Sequence, residues 1–146
     1  MAHIQYVPTT VLVSESTRQR LAATRDAFGA RSIDETIERL LRKAAPSAGE
    51  LFEANRAKVL AVCRRNGLKP LTAFGSRVRD DRTPASDLDL VTGFPRGTSL
   101  LDVIRIQDEL SQAFGCPVHL ASEPERGSRL AQRIEAEGVR LVGPKT

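Results

Sequence analysis

Residues 74–90 read Phe-Gly-Ser-Arg-Val-Arg-Asp-Asp-Arg-Thr-Pro-Ala-Ser-Asp-Leu-Asp-Leu, and this stretch decides the fold. An apolar run ends at Phe74 and meets Gly75-Ser76 at once. Ten residues separate Ser76 from Asp87-Leu88-Asp89, where a strand-like alternation begins and runs to Val91. Period-two alternation sends Leu88 and Leu90 to one face and Asp87 with Asp89 to the other. Two carboxylates side by side on one strand repel each other unless positive charge lies between them. A hard divalent cation meets that need, because Mg²⁺ takes oxygen ligands and bridges carboxylates to the phosphates of a nucleotide. Glycine lets the backbone at position 75 approach a phosphate closely, while the Ser76 hydroxyl and the adjacent amides donate to its oxygens. Arg77 and Arg79 add positive charge beside the turn. The competing reading is an exposed strand whose aspartates are solvated or paired with arginine.

Working outward, residues 50–65 carry Leu51, Phe52, Val59, Leu60, Val62 and Cys63 at helical spacing and predict one amphipathic helix ending near Asn66-Gly67. Residues 68–74 predict a strand, residues 87–91 a second, and residues 117–121 a third, with a helix over 100–114 between the last two. In the third strand Val118 and Leu120 share the core parity, which leaves His119 on the face of the aspartates. Arg126, Arg129 and Arg133 fall on one face of an expected C-terminal helix, either solvated or used in binding.

Towards the N-terminus, the small residues around Pro46 and Gly49 predict a linker over 46–49 that separates a unit of residues 1–45 from one of residues 50–146. Residues 9–14 read as a short strand with Val11 and Val13 on one side and Thr10 and Leu12 on the other. Ser14 has the chemistry of a helix N-cap and Gly29 that of a C-terminal stop. Ser32 and Glu35 form a capping-box pattern ahead of Ile33, Ile37, Leu40, Leu41 and Ala44, the stripe of a second amphipathic helix. Strand, helix and helix over 45 residues offer too little apolar surface to close a core alone, so this unit needs a partner.

Two resemblances follow from these motifs. TTVLVSESTRQRLAATRDAFGARSIDETIERLLRKA resembles the ribbon-helix-helix family of dimeric repressors and antitoxins. That likeness implies a homodimer through residues 9–45, Thr10 and Leu12 facing bases in the major groove of an operator, and Ser32 with neighbouring amides at a phosphate. Leu12 departs from the polar pattern: an apolar side chain contacts a thymine methyl but makes no bidentate hydrogen bond. FGSRVRDDRTPASDLDL resembles the minimal nucleotidyltransferases of the DNA polymerase beta-like superfamily, whose signature is Gly-Ser, ten residues, then Asp-x-Asp. This second likeness covers residues 50–142. It implies an α+β protein in which a ribbon-helix-helix arm precedes a small mixed-sheet domain flanked by helices.

The nucleotidyltransferase resemblance further implies Asp87 and Asp89 as catalytic and metal-binding residues, Gly75, Ser76, Arg77 and Arg79 as cofactor-binding residues, and Mg²⁺ or Mn²⁺ with ATP as cofactors. The family carries a third carboxylate on the third strand, where His119 stands, and a glycine where this chain has Asp80. His119 is then either a catalytic substitute or a histidine without a chemical role. Together the resemblances imply the antitoxin of a bacterial type II or type VII-like toxin-antitoxin pair. Its partner would be a small ribonuclease toxin, neutralised by docking or by AMP transfer, with autorepression through operator DNA. The alternative is a stand-alone enzyme adenylylating a protein or small-molecule hydroxyl.

Composition excludes other classes. Hydrophobic residues at 40% and charged residues at 27%, without a long apolar run, give no reason to expect a membrane role. MAHIQYVPTT lacks the pattern of a secretion signal, so the expected location is the cytoplasm. The net charge of +4 permits nucleic acid but does not single out a half: residues 1–49 hold seven basic and five acidic side chains, residues 50–146 fifteen and thirteen. Cys63 and Cys116 are isolated, which argues for reduced packing thiols rather than a zinc site.

Overall fold

Among the described residues, serine side chains cap every α-helix start except that of the helix following Asn55, which has no side-chain cap. In the computed structural model, which describes residues 8–141, Ser14 Oγ accepts the Thr17 amide at 3.2 Å and opens α1 (Glu15–Phe28), and Gly29 closes it in the left-handed conformation. Ahead of α2 (Ile33–Ala44), Ser32 Oγ accepts the Glu35 amide at 3.0 Å, but the Glu35 carboxylate accepts the Arg31 amide at 2.8 Å. The capping box thus reaches back one residue further than its simplest form. The strand expected over residues 9–14 is not formed: residues 8–14 carry no regular structure, and Val11, Leu12 and Val13 are exposed. A ribbon strand consists of hydrogen bonds to a second backbone, which one copy of the chain does not supply.

The described residues divide into two units at Leu40 and Leu41, inside α2. The second unit contains α3 (Ala48–Ala54), α4 (Arg56–Arg65), β1 (Thr72–Phe74), β2 (Leu88–Thr92), α5 (Leu100–Phe114), β3 (Val118–Ser122), α6 (Arg129–Glu137) and β4 (Val139–Arg140). Its sheet is mixed, in the order β3-β2-β1-β4, with β1 antiparallel to both β2 and β4 and β2 parallel to β3. The parallel pair needs a crossover, and α5 provides it. Ala73, Leu88, Leu90 and Val118 from one sheet face pack with Phe52, Val59, Val62, Ile106, Leu110 and Phe114 from the helices, all buried. The edge strand β3 is covered by α5: Val118 donates its amide to Ser111 Oγ at 3.1 Å and Leu120 donates to Gln107 Oε1 at 3.0 Å.

Several expectations are corrected. Residues 46–49 are not a free linker, because Ser47 caps α3, Ala45 and Ala48 are buried, and the carbonyls of Ala45 and Pro46 accept from Arg82 and Arg77. The single helix over 50–65 is two helices broken at Asn55, whose Nδ2 donates to Leu51 O at 2.9 Å and Phe114 O at 3.4 Å. The strand over 68–74 shortens to Thr72–Phe74; Pro70 has no amide to place in a ladder. The strand over 87–91 begins one residue later, at Leu88. Arg126 lies ahead of α6 rather than on it. The sequence reading did not foresee β4, two residues that pair with β1. Both cysteines are free, and burial pushes the Cys63 thiol up to about 11. No helix among the described residues is long and apolar enough to cross a membrane.

Two leucines on α5 test the layer assignment. Leu110 is fully buried and Leu101 is 77% exposed. Leu110→Ala should lower the unfolding free energy by roughly 2–5 kcal/mol, and Leu101→Ala should stay within about 0.5 kcal/mol of the parent in urea denaturation.

Candidate functional site

The register brings the motif together. Phe74 lies opposite Asp89 across β1 and β2, and Asp89 lies beside His119 across β2 and β3. Phe74, Asp89 and His119 therefore share one sheet face, at the end of β1 where the Gly75-Ser76 turn begins. Gly75 adopts φ 78° and ψ −157°, and a Cβ there would overlap Asp89 Oδ2. Only glycine lets the carboxylate sit against the turn. Ser76 begins a single 3-10 turn to Val78, and its hydroxyl has no side-chain or backbone partner among the described residues. Asp87 is exposed just ahead of β2.

Asp89 is the electrostatic centre of this face. Burial pushes its carboxyl above the ordinary range; the His119 ring opposes this, Asp87 adds to it, and Arg133 and Arg79 pull the other way. His119 Nδ1 stands 3.9 Å from Asp89 Oδ1, with its ring largely exposed. Among the described residues no group of three or more His, Cys, Asp or Glu has the arrangement of a metal cage. An Asp pair is nevertheless what Mg²⁺ commonly uses, since it takes one or two carboxylates and completes its shell with water and substrate phosphates. The donor set fits the cation expected from the sequence.

The arginines separate into two roles. Arg77 is 3% exposed and donates to the carbonyls of Ser86 at 2.9 Å, Pro46 at 3.0 Å and Pro84 at 3.3 Å. Its assignment as a cofactor-binding residue is corrected: its guanidinium ties the loop before β2 to the segment before α3. Arg79 is exposed and partly free to meet an anion, though its Nη1 donates to Glu137 Oε1 at 3.3 Å and Oε2 at 3.1 Å. Sequence reasoning missed Glu137. Its Oε1 also accepts the Gly75 amide at 3.0 Å, and Arg133 Nη2 lies 3.5 Å away. The available signal was a carboxylate on the last residue of a helix, where the dipole disfavours negative charge unless cations surround it.

The residues assigned to DNA lie in the first unit and are described there alone. Thr10 and Leu12 are exposed, and the Ser32 hydroxyl is engaged by the Glu35 amide. Elsewhere on the aspartate face of the sheet, a cavity of about 200 Å³ opens between Thr72, Val91, Ile134 and Arg140.

Comparison with known proteins agrees with this geometry. A family profile described as the nucleotidyltransferase domain matches residues 57–141. A Methanocaldococcus jannaschii protein to which protein adenylyltransferase activity is ascribed is 31% identical over 87 residues, 60% of this chain and 94% of that protein. A solved structure assigned as a minimal nucleotidyltransferase matches with a TM-score of 0.50 at 33% identity, over 62% of this chain and 92% of the other. A crystal structure of a toxin-antitoxin with AMP-PNP gives a TM-score of 0.52 at 22% identity over 62% of this chain and 75% of that one, a likeness of fold.

The structural role of Arg77 has its own test. Arg77→Ala removes a buried side chain and its three part-buried hydrogen bonds to backbone carbonyls, and should lower the unfolding free energy by roughly 2–4 kcal/mol. Arg77→Lys should recover little of it, because one ammonium does not reproduce the planar fork that spans three acceptors. Chemical denaturation of the three proteins reads the difference.

Proposed function

This chain belongs to the nucleotidyltransferase domain family, and on that premise we propose that it is the antitoxin of a bacterial toxin-antitoxin pair, transferring AMP from ATP to a hydroxyl of its toxin. The observation that carries the proposal is the Asp89 carboxylate seated on the Gly75 turn with Asp87 and His119 beside it. Asp87 and Asp89 would hold Mg²⁺ or Mn²⁺, which when bound neutralises triphosphate charge. The Gly75 amide, the Ser76 hydroxyl and Arg79 bind and orient the phosphates. The toxin hydroxyl oxygen forms a bond to the α-phosphorus, the bond to pyrophosphate breaks, and the His119 imidazole takes the hydroxyl proton. The relatives support this reading: one has protein adenylyltransferase activity ascribed to it, and a fold neighbour is a toxin-antitoxin with AMP-PNP. A small ribonuclease is the partner we propose. A docking role without chemistry is the second reading, favoured by the imidazole where the family has a carboxylate.

His119 sets the metal preference. Nitrogen is a poor ligand for Mg²⁺ and an acceptable one for Mn²⁺, and a neutral imidazole adds no negative charge. Incorporation of labelled AMP into the toxin should be weak with Mg²⁺, stronger with Mn²⁺, and raised severalfold with Mg²⁺ by His119→Asp. Strong Mg²⁺-dependent transfer abolished by His119→Asp would instead make the imidazole indispensable. No transfer by either protein with either metal, alongside an intact complex, would leave the docking reading.

For the first unit the proposal is a ribbon-helix-helix homodimer that binds its own operator, with Thr10 and Leu12 at the bases and Ser32 at a phosphate. The support is an exposed Val11-Leu12-Val13 run and the partly exposed stripe of Ile37 and Leu40 on α2. Sedimentation of the intact chain should give a dimer at micromolar concentration and a monomer for Val11→Asp combined with Val13→Asp. A monomeric parent would remove the ribbon.

A further inference from the structure

The Gly75 amide, expected to meet a phosphate, already has an anionic partner from within the chain. Resting on the reading of Gly75-Ser76 as a triphosphate site, we propose that Glu137 is a resident anion in that site: its carboxylate holds Gly75, Arg79 and Arg133 until nucleotide phosphates displace it.

Four contacts meet on one carboxylate. Oε1 accepts the Gly75 amide at 3.0 Å and Arg79 Nη1 at 3.3 Å, Oε2 accepts the same Nη1 at 3.1 Å, and Arg133 Nη2 stands 3.5 Å from Oε1. A backbone amide with two guanidinium groups is the donor set that binds phosphate oxygens, and carboxylate and phosphate compete for it on equal chemical terms. Glu137 ends α6, where the helix dipole repels a carboxylate, so its position is held by these donors rather than by the helix. Burial pushes its carboxyl up, but the Gly75 amide and Arg79 outweigh this and keep it below the usual range, so the group is anionic at neutral pH.

The opposite edge of Arg79 is fixed independently: Nε donates to Asp81 Oδ1 at 3.1 Å. Loss of Glu137 therefore frees one edge of the guanidinium without releasing the side chain. Arg133 also lies over the Phe74 ring, 5.8 Å from its centroid, and stays beside the turn when the carboxylate leaves. The exchange needs a rotation of one side chain. It gives Arg133 a part in phosphate binding that the sequence motif does not assign, and it lowers affinity for nucleotide in the resting protein by the strength of the contacts to be broken.

The test is calorimetric binding of ATP, and separately of inorganic tripolyphosphate, each with Mg²⁺, to the intact parent chain and to Glu137→Gln, Glu137→Asp and Asp89→Asn. Glu137→Gln keeps an acceptor for the Gly75 amide but loses the charge, and should bind both ligands about tenfold more tightly, equivalent to about 1.4 kcal/mol. Glu137→Asp keeps the charge but shortens the reach, and should tighten binding by a smaller factor; it decides the matter if the Gln variant does not fold. Equal or weaker binding by the folded variants, with Asp89→Asn losing the binding of the parent, would sink the resident anion and leave the triphosphate site standing. Absence of binding in the parent and in both Glu137 variants would sink both.

Discussion

The contact between the Asp89 carboxylate and the bare Cα of Gly75 is the constraint from which the site follows. The antiparallel register of β1 and β2 sets Phe74 against Asp89, so the residue after Phe74 must turn away without a side chain. Gly75 does this at φ 78°, a region where other residues are strained. The result is a half-buried carboxylate held directly against the turn that follows β1. The parallel pairing of β2 with β3 then adds His119 from the far side.

A second constraint holds the loop between the two halves of the motif. The ten residues from Arg77 to Ser86 contain three arginines, two aspartates and a proline but no apolar anchor beyond Val78. Arg77 supplies the anchor by hydrogen bonding, with its guanidinium buried among three carbonyls. Arg82 acts in the same sense, donating to Ala45 O at 2.6 Å and Arg79 O at 2.9 Å. These two side chains make the Asp87-Asp89 end of β2 dependent on the segment ahead of α3. That dependence explains why small residues that look like a linker are buried. Arginine reads as positive charge for a ligand in a sequence, yet its fork also satisfies backbone carbonyls where no ligand exists.

The two units differ in how they are stabilised. In the second, a sheet face and three helices enclose a shared core of aliphatic and aromatic side chains. In the first, none of the α1 residues is fully buried, Thr36 is the buried residue of α2, and large apolar side chains remain exposed. Helices of 14 and 12 residues draw most of their stability from an amphipathic face packed on something else.

The local sequence determined whatever depends on near neighbours. The cap at Ser14, the stop at Gly29, the pairing of Ser32 with Glu35 and the side-to-side alternation within β2 and β3 all follow from spacing of a few residues, and they were legible; the caps at Ser47, Ser99 and Ser128 have the same local origin but were not read. The mixed sheet was legible too, through the resemblance carried by Gly75-Ser76 and Asp87-Leu88-Asp89. Other features depend on residues far apart in the chain. The break at Asn55 needs the Phe114 carbonyl, β4 needs the free edge of β1, and the inward turn of Arg77 needs Pro46. Glu137 reaches Gly75 across 62 residues. No periodicity encodes a contact of that kind, because a side chain chooses its partner only after the sheet and α6 have brought the charges together; tertiary structure alone decided it.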